Sequence, residues 1–295
     1  MPTFLILAAM KSGTTALYEL LRDHPQVFMS ALKEPQHFAC SNGEPGFAGP
    51  GDTRTRSFVV TDPDAYAALF ADAGSARAIG EASTWYLYVP EAAGRIRRVL
   101  PDALLLVLLR NPADRAYSSF LHMCRDGREP MADFAAALED EPRRIQEGWA
   151  PHWHYRAAGL YSGQMRRYFE LFDRARIQIH LYEELVHDPA ALARDVLSFL
   201  NVDTACAGAI GRHNISGRPR SHALQSFLRE RHPALRRLVP ERLRRRLVAD
   251  LLRRNTAPAP SLEPGLRQEL LDFYREDVLA LQDLIDRDLS GWLAD

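Results

Sequence analysis

Apolar residues recur along this chain with two periods. Positions 4–9 form an unbroken apolar run of strand length. Lys11-Ser12-Gly13-Thr14-Thr15 follows, and then Ala16, Leu17, Leu20 and Leu21 fall at helical spacing up to His24-Pro25. Strand, polar loop and helix in that order open a βα unit. Leu104–Leu109 reads LLLVLL, apolar on both faces, as expected of a central parallel strand covered on two sides. Residues 77–82 and Ile177–Leu181 read as further strands. Helical spacing runs over 63–71, 91–100, 114–123, 163–172 and 190–200.

Elsewhere the periods fade. Residues 27–38 read as irregular. Residues 41–57 hold four glycines and two prolines and read as a mobile loop. After Asn201 no strand pattern recurs: 214–221 is a loop with glycine and proline, and 262–293 an amphipathic helical region. Alternating strands and helices predict an α/β fold. We expect a doubly wound parallel sheet flanked by helices, with ligands at the carboxyl ends of its strands and a mainly helical C-terminal portion.

The net charge is −1, so no global field favours nucleic acid or a membrane, and any anion site must be local. Cys40, Cys124 and Cys206 are too few and too widely spaced for a disulfide framework or a cysteine zinc site, which fits the cytoplasm. Lys11 ends the first apolar run too early for a signal peptide or a membrane span, and no other run approaches 18 apolar residues. The expectation is a protein not integral to a membrane. Residues 229–254 carry ten arginines against three acids on an amphipathic pattern. They form either a solvated face or a peripheral contact with a membrane or partner.

The loop at 11–15 offers a lysine, a glycine that permits close backbone approach, and three hydroxyls at a helix N-terminus, the parts of an anion cradle. Ordinary helix capping is the plainer alternative. The lysine precedes the glycine, so GxxxxGK[ST] is absent, and no GxGxxG follows the first strand. This loop resembles the first βα turn of the sulfotransferases that use 3′-phosphoadenosine 5′-phosphosulfate (PAPS), which carries Lys-x-Gly-Thr-Thr. The resemblance implies a P-loop-like fold in which Lys11, Ser12, Gly13, Thr14 and Thr15 hold the phosphosulfate. It also places Lys11 on the leaving oxygen.

Such a donor carries a 3′-phosphate and needs a second anion site. The segment Arg110-Asn111-Pro112-Ala113-Asp114-Arg115-Ala116-Tyr117-Ser118 resembles the family's R-[ND]-P-x-[DE]-R-x-x-S, which implies that Arg110 and Ser118 bind that phosphate. Plain capping, by Arg110 of a strand and by Asp114 of a helix, is the alternative. Lys33-Glu34-Pro35-Gln36-His37-Phe38 resembles the K-E-x-x-[HF]-F segment, which implies Glu34 as the base and Lys33 as a sulfate ligand. His37 is the rival base.

The segment 81–87 is similar to E-K-[ST]-P-x-Y, with Ala82 in place of the lysine and Thr84 in place of the proline. Trp85, Tyr86 and Tyr88 become candidates for an acceptor pocket, as does Tyr161. Ser216, Gly217 and Arg218 resemble the late loop that closes over the donor. The whole implies one sulfotransferase domain over 1–295, with an α/β core at 1–200 and the donor-closing loop and helical portion at 201–295. Such an enzyme moves a sulfuryl group to a small-molecule, sugar or lipid acceptor, releases 3′-phosphoadenosine 5′-phosphate (PAP) and requires no metal. A P-loop kinase or ATPase and a non-catalytic nucleotide-binding module are the rival classes. Oligomeric state is not readable from the sequence.

Overall fold

The computed structural model describes residues 1–7, 9–40, 46–206, 217–219, 251, 255–258 and 260–294. Five short strands form the central sheet: β1 (Phe4–Ile6), β2 (Val27–Met29), β3 (Ala78–Ala82), β4 (Leu104–Leu109) and β5 (Ile177–Leu181). All pair in parallel, in the order β2-β3-β1-β4-β5.

The helices on the way are α1 (Thr14–Arg22), α2 (His37–Cys40), α3 (Asp52–Arg56), α4 (Pro63–Ala68), α5 (Pro90–Val99) and α6 (Pro112–Arg125). They continue as α7 (Phe134–Glu139), α8 (Glu141–Gln146), α9 (Tyr161–Leu171), α10 (Tyr182–His187), α11 (Pro189–Phe199) and α12 (Pro264–Ile285). The α/β alternation and the helical C-terminal portion are as the periodicity predicts.

Each strand buries both faces because its side chains alternate between two cores. Leu105, Val107 and Leu109 of β4 pack with α5, α6, α9 and α12, while Leu106 and Leu108 pack with α1 and α11. Gly80 of β3 is required by packing: a Cβ there would lie 2.2 Å from the Phe4 ring of β1.

Three expectations are corrected. Residues 27–29 are a strand rather than irregular, since β3 supplies their hydrogen bonds. The segment 46–57 is pinned rather than loose. Its α3 begins at the buried Asp52, whose carboxylate accepts from the amides of Gly49 (2.9 Å) and Ala150 (3.0 Å) and from the Trp153 indole (3.2 Å), and pairs with Arg128. Strands also recur after Asn201: β6 (Gly217–Pro219) pairs antiparallel with β7 (Thr256–Pro258) and runs beside α6.

The strand order sets the site. From β1 the chain moves to β2 and β3 on one side of it and then crosses to β4 on the other. The crevice at the carboxyl ends of β1 and β4 is therefore the topological switch point, where open α/β sheets bind ligands.

Candidate active site

Two turns leave the sheet at this crevice, Lys11–Thr15 after β1 and Arg110-Asn111 after β4. Gly13 caps α1 with φ 92°, in the left-handed region that favours glycine. A Cβ there would stand 2.5 Å from Leu185 and 3.3 Å from Tyr182. Lys11 also has positive φ, at 70°. Its carbonyl accepts a hydrogen bond from Arg110 Nη1 at 3.1 Å, which ties the two turns together. The Arg110 guanidinium also lies 4.5 Å from the centroid of the Tyr182 ring, a cation–π contact.

The second turn is well braced. Asn111, rather than Asp114, caps α6 by accepting from the amides of Ala113 and Asp114, and it donates to the Trp292 carbonyl at 2.9 Å. Asp114 pairs with Arg267 of α12 instead. Tyr161 donates its phenol proton to the Arg110 carbonyl at 3.1 Å.

These turns face one cavity of about 370 Å³. Among the described residues, six basic side chains line it, from Lys11, Lys33, Arg54, Arg110, Arg125 and Arg128, against two acidic ones, Glu34 and Asp126. A chain of near-zero net charge thus concentrates positive charge at one crevice. Burial, followed by the Arg125 charge, lowers the Lys11 ammonium from 10.5 to about 8. An entering anion would relieve that frustration.

The acceptor side is built on the turn 33–36. Lys33 Nζ donates to Thr15 Oγ1 at 3.0 Å and to Glu34 Oε1 at 3.3 Å. Glu34 Oε2 accepts from Gln36 Nε2 (3.2 Å) and from Thr84 Oγ1 (3.3 Å). The threonine that departs from the family's proline thus touches the candidate base. Glu34 and Gln36 hold φ values of 61° and 52°, conformations that cost roughly 1–3 kcal/mol each in non-glycine residues.

The cavity gathers Lys11, Gly13, Thr14, Thr15, Lys33, Glu34, Trp85, Arg110 and Ser118. It does not gather every candidate. Ser12 is buried, and its hydroxyl has no partner among the described residues. His37 stacks on Tyr66 at 4.2 Å, and its Nδ1 lies 2.9 Å from the Val60 carbonyl, off the cavity wall. Tyr86 and Tyr161 are core residues, and Tyr88 meets His154 at a separate cavity. Gly217 and Arg218 lie in β6 beside α6, the helix that carries Ser118. Ser216 and nearly all of 229–254 fall outside the described residues.

The structure adds residues the sequence reading missed. His122 stands one helical turn beyond Ser118 on the cavity face of α6. Its Nδ1 accepts from Arg125 Nη2 at 2.6 Å, and its Nε2 lies 3.6 Å from Asp126. Burial, then the Lys11 charge, lowers it to about 3. The i, i+4 spacing from Ser118 was the available signal. His152 completes the wall, with Nε2 3.5 Å from Asp52 Oδ1. Among the described residues no cluster of three or more histidine, cysteine or carboxylate groups could hold a metal ion, and no helix is long and apolar enough to cross a membrane.

Two linked turns, a basic cavity and a carboxylate beside a lysine make up the candidate site on a parallel α/β sheet. Residues 2–205 match the sequence profile of the sulfotransferase family, and the chain belongs to that family. It is similar to a sulfotransferase from Alicyclobacillus acidocaldarius, with a TM-score of 0.79 and 34% identity over 100% of this chain and 99% of that one. It is 29% identical over 211 residues to the human bifunctional heparan sulfate N-deacetylase/N-sulfotransferase 3, covering 68% of this chain and 22% of the relative. Human heparan sulfate glucosamine 3-O-sulfotransferase 6 is 29% identical over 204 residues, 68% of this chain and 52% of that protein. The chain therefore spans about a fifth to a half of the length of these relatives.

Proposed function

We propose that this chain transfers a sulfuryl group from PAPS to a hydroxyl or amine of a small-molecule, sugar or lipid acceptor by in-line displacement, releasing PAP. The observation that carries the reading is the bond from Arg110 to the Lys11 carbonyl, which sets both anion-binding turns on one cavity. The residues fit a donor with an anionic group at each end. Glycine at 13 lets Leu185 and Tyr182 pack close against the first turn, Thr14, Thr15 and Ser118 line the wall, and basic side chains surround them.

The bound donor supplies an activated sulfuryl group, and the remaining roles fall to side chains. Lys11, Ser12, Gly13, Thr14 and Thr15 hold the phosphosulfate end. Arg110 and Ser118 hold the 3′-phosphate, and Ser216, Gly217 and Arg218 are assigned to the same end. Lys11 and Lys33 offset the charge that grows on the leaving oxygen. Glu34 accepts the proton of the incoming nucleophile. The reading calls for no metal, because cationic side chains supply the charge a metal would bring.

Trp85 is retained as an acceptor contact, while Tyr86, Tyr161 and His37 have no place in this assignment. The names of the human relatives put a sugar first among acceptor classes. We also read residues 1–295 as one domain working in the cytoplasm. A thermal-shift comparison of PAP, ATP-Mg²⁺ and NADH tests the class. PAP alone should give a large shift; a shift with ATP-Mg²⁺ and none with PAP would overturn the reading in favour of a kinase or ATPase.

A further inference from the structure

Glu81, the last residue but one of β3, is fully buried and lines no part of the cavity. Its carboxylate is nevertheless linked to the candidate base's turn by two successive hydrogen bonds through Ser83. Oε2 accepts from Ser83 Oγ at 2.8 Å, and Oε1 accepts from Tyr66 Oη at 3.2 Å. Ser83 Oγ in turn accepts from the Gln36 amide at 3.0 Å. Two residues before Gln36 and one before Ser83, the Glu34 amide donates to the Ala82 carbonyl at 2.9 Å.

The turn 33–36 thus hangs on the carboxyl end of β3 by two bonds, and it carries two non-glycine residues at positive φ. Such backbone persists only where its surroundings over-determine it. The bond from Glu34 is backbone to backbone and needs no particular side chain. The bond from Gln36 needs a hydroxyl whose lone pair faces the amide. Ser83 has one proton, and directing it at Glu81 leaves that lone pair free. A carboxylate behind Ser83 is therefore what orients the hydroxyl.

We propose that Glu81 is a positioning residue: acting through Ser83, it fixes the turn that aims Glu34 into the cavity. The proposal rests on the assignment of Glu34 as the base. Tyr66 from α4, with His37 stacked behind it, faces Glu81, as do Ser83 and Tyr86 beyond β3 and the like charge of Glu34. Burial foremost raises the Glu81 carboxyl to about 7. Once ionised it accepts from Ser83 and Tyr66 together; protonated, one of its oxygens becomes a donor. Positioning is therefore tightest above pH 7.

The test uses the full chain and its E34Q, E81Q, S83A and E34Q/E81Q variants. Turnover is measured with saturating labelled PAPS, reading both hydrolysis to water and transfer into a cell extract. PAP affinity and amide hydrogen exchange at 34 and 36 are measured alongside. E81Q and S83A should lose turnover by roughly tenfold to a hundredfold, the scale of a misaimed catalytic group, while PAP affinity stays within about twofold. Exchange at the Gln36 amide should rise. E81Q should abolish a wild-type turnover step near pH 7 and cost nothing further in the E34Q background. Wild-type turnover in E81Q and S83A while E34Q collapses would overturn the role of Glu81 alone, as would a pH step that survives in E81Q. Full turnover in E34Q would instead sink the base assignment, and the exchange data would still report whether Glu81 holds the turn.

Discussion

Arg110 and Lys11 stand 99 positions apart, yet Arg110 Nη1 donates to the Lys11 carbonyl at 3.1 Å across the switch point of the sheet. The bond uses one donor of a guanidinium that has five, and no second hydrogen bond engages that guanidinium among the described residues. On the proposed assignment, the turn given to one end of the donor is thus braced by the residue given to the other.

On the proposed assignment Glu34 accepts the nucleophile's proton, so E34Q should reduce turnover by about 10²–10⁴-fold, the usual contribution of a positioned base. PAP binding should stay within a few-fold, because Lys11 and Arg110 keep their places. Pre-steady-state turnover beside a PAP titration checks this; equal losses in both would make Glu34 structural.

Gly13→Ala should damage both stability and donor binding. The new Cβ would meet Leu185 at 2.5 Å, and alanine would have to hold φ 92°. The strained backbone alone costs roughly 1–3 kcal/mol. A melting curve and a PAP titration should both deteriorate, whereas G163A, on the open side of α9, should leave both unchanged.

The pH dependence has a definite sign at Lys11. Burial lowers its proton affinity from 10.5 to about 8, so the folded chain sheds that proton before the unfolded chain does. Lys11 therefore costs stability at neutral pH, and the cost is relieved as pH rises from about 8 toward 10.5. Anion binding runs the other way, because it needs the ammonium. PAP affinity should fall above pH 8 in the wild type, and K11A should flatten that limb. Isothermal titration across pH 6.5–9.5 measures it.

Glu81 gives a second, opposite signature. Its folded value, raised to about 7, means that the native chain holds a proton which the unfolded chain has released. Its contribution to stability therefore falls as pH rises from about 4.5 to 7. E81Q should melt higher than wild type at pH 8, by up to about 3 kcal/mol of stability, and show no such gain at pH 4.5. A variant both more stable and less active would mark a carboxylate kept for positioning.

The parts of the site read directly from sequence were those whose chemistry is local. Lys11–Thr15 and Arg110 announce themselves because a polar loop directly follows an apolar strand, and all of them but Ser12 lie on the cavity. β2 escaped because three residues, with Phe28 only partly buried, show too little alternation, and the strand is stabilised by pairing with β3. β6 and β7 escaped because each ends in proline and neither exceeds three residues. The Asp52 clamp was invisible in a stretch rich in glycine and proline, since its partners at 149–153 lie about 100 positions away. His37 and His122 show the same limit from both sides. The first has the expected motif position and faces Tyr66, while the second has no motif and faces Lys11.

The clasp itself is tested most directly by calorimetric titration of PAP, adenosine 5′-phosphate and adenosine 3′-phosphate onto wild type, K11A and R110A. R110A should weaken PAP by about ten- to a hundredfold, as expected for losing a charged hydrogen-bonded pair, and adenosine 5′-phosphate by clearly less, through the lost brace on the Lys11 turn. K11A should show the mirror pattern, sparing adenosine 3′-phosphate. If either variant weakens all three ligands equally, the two turns do not hold opposite ends of one molecule and the account is wrong.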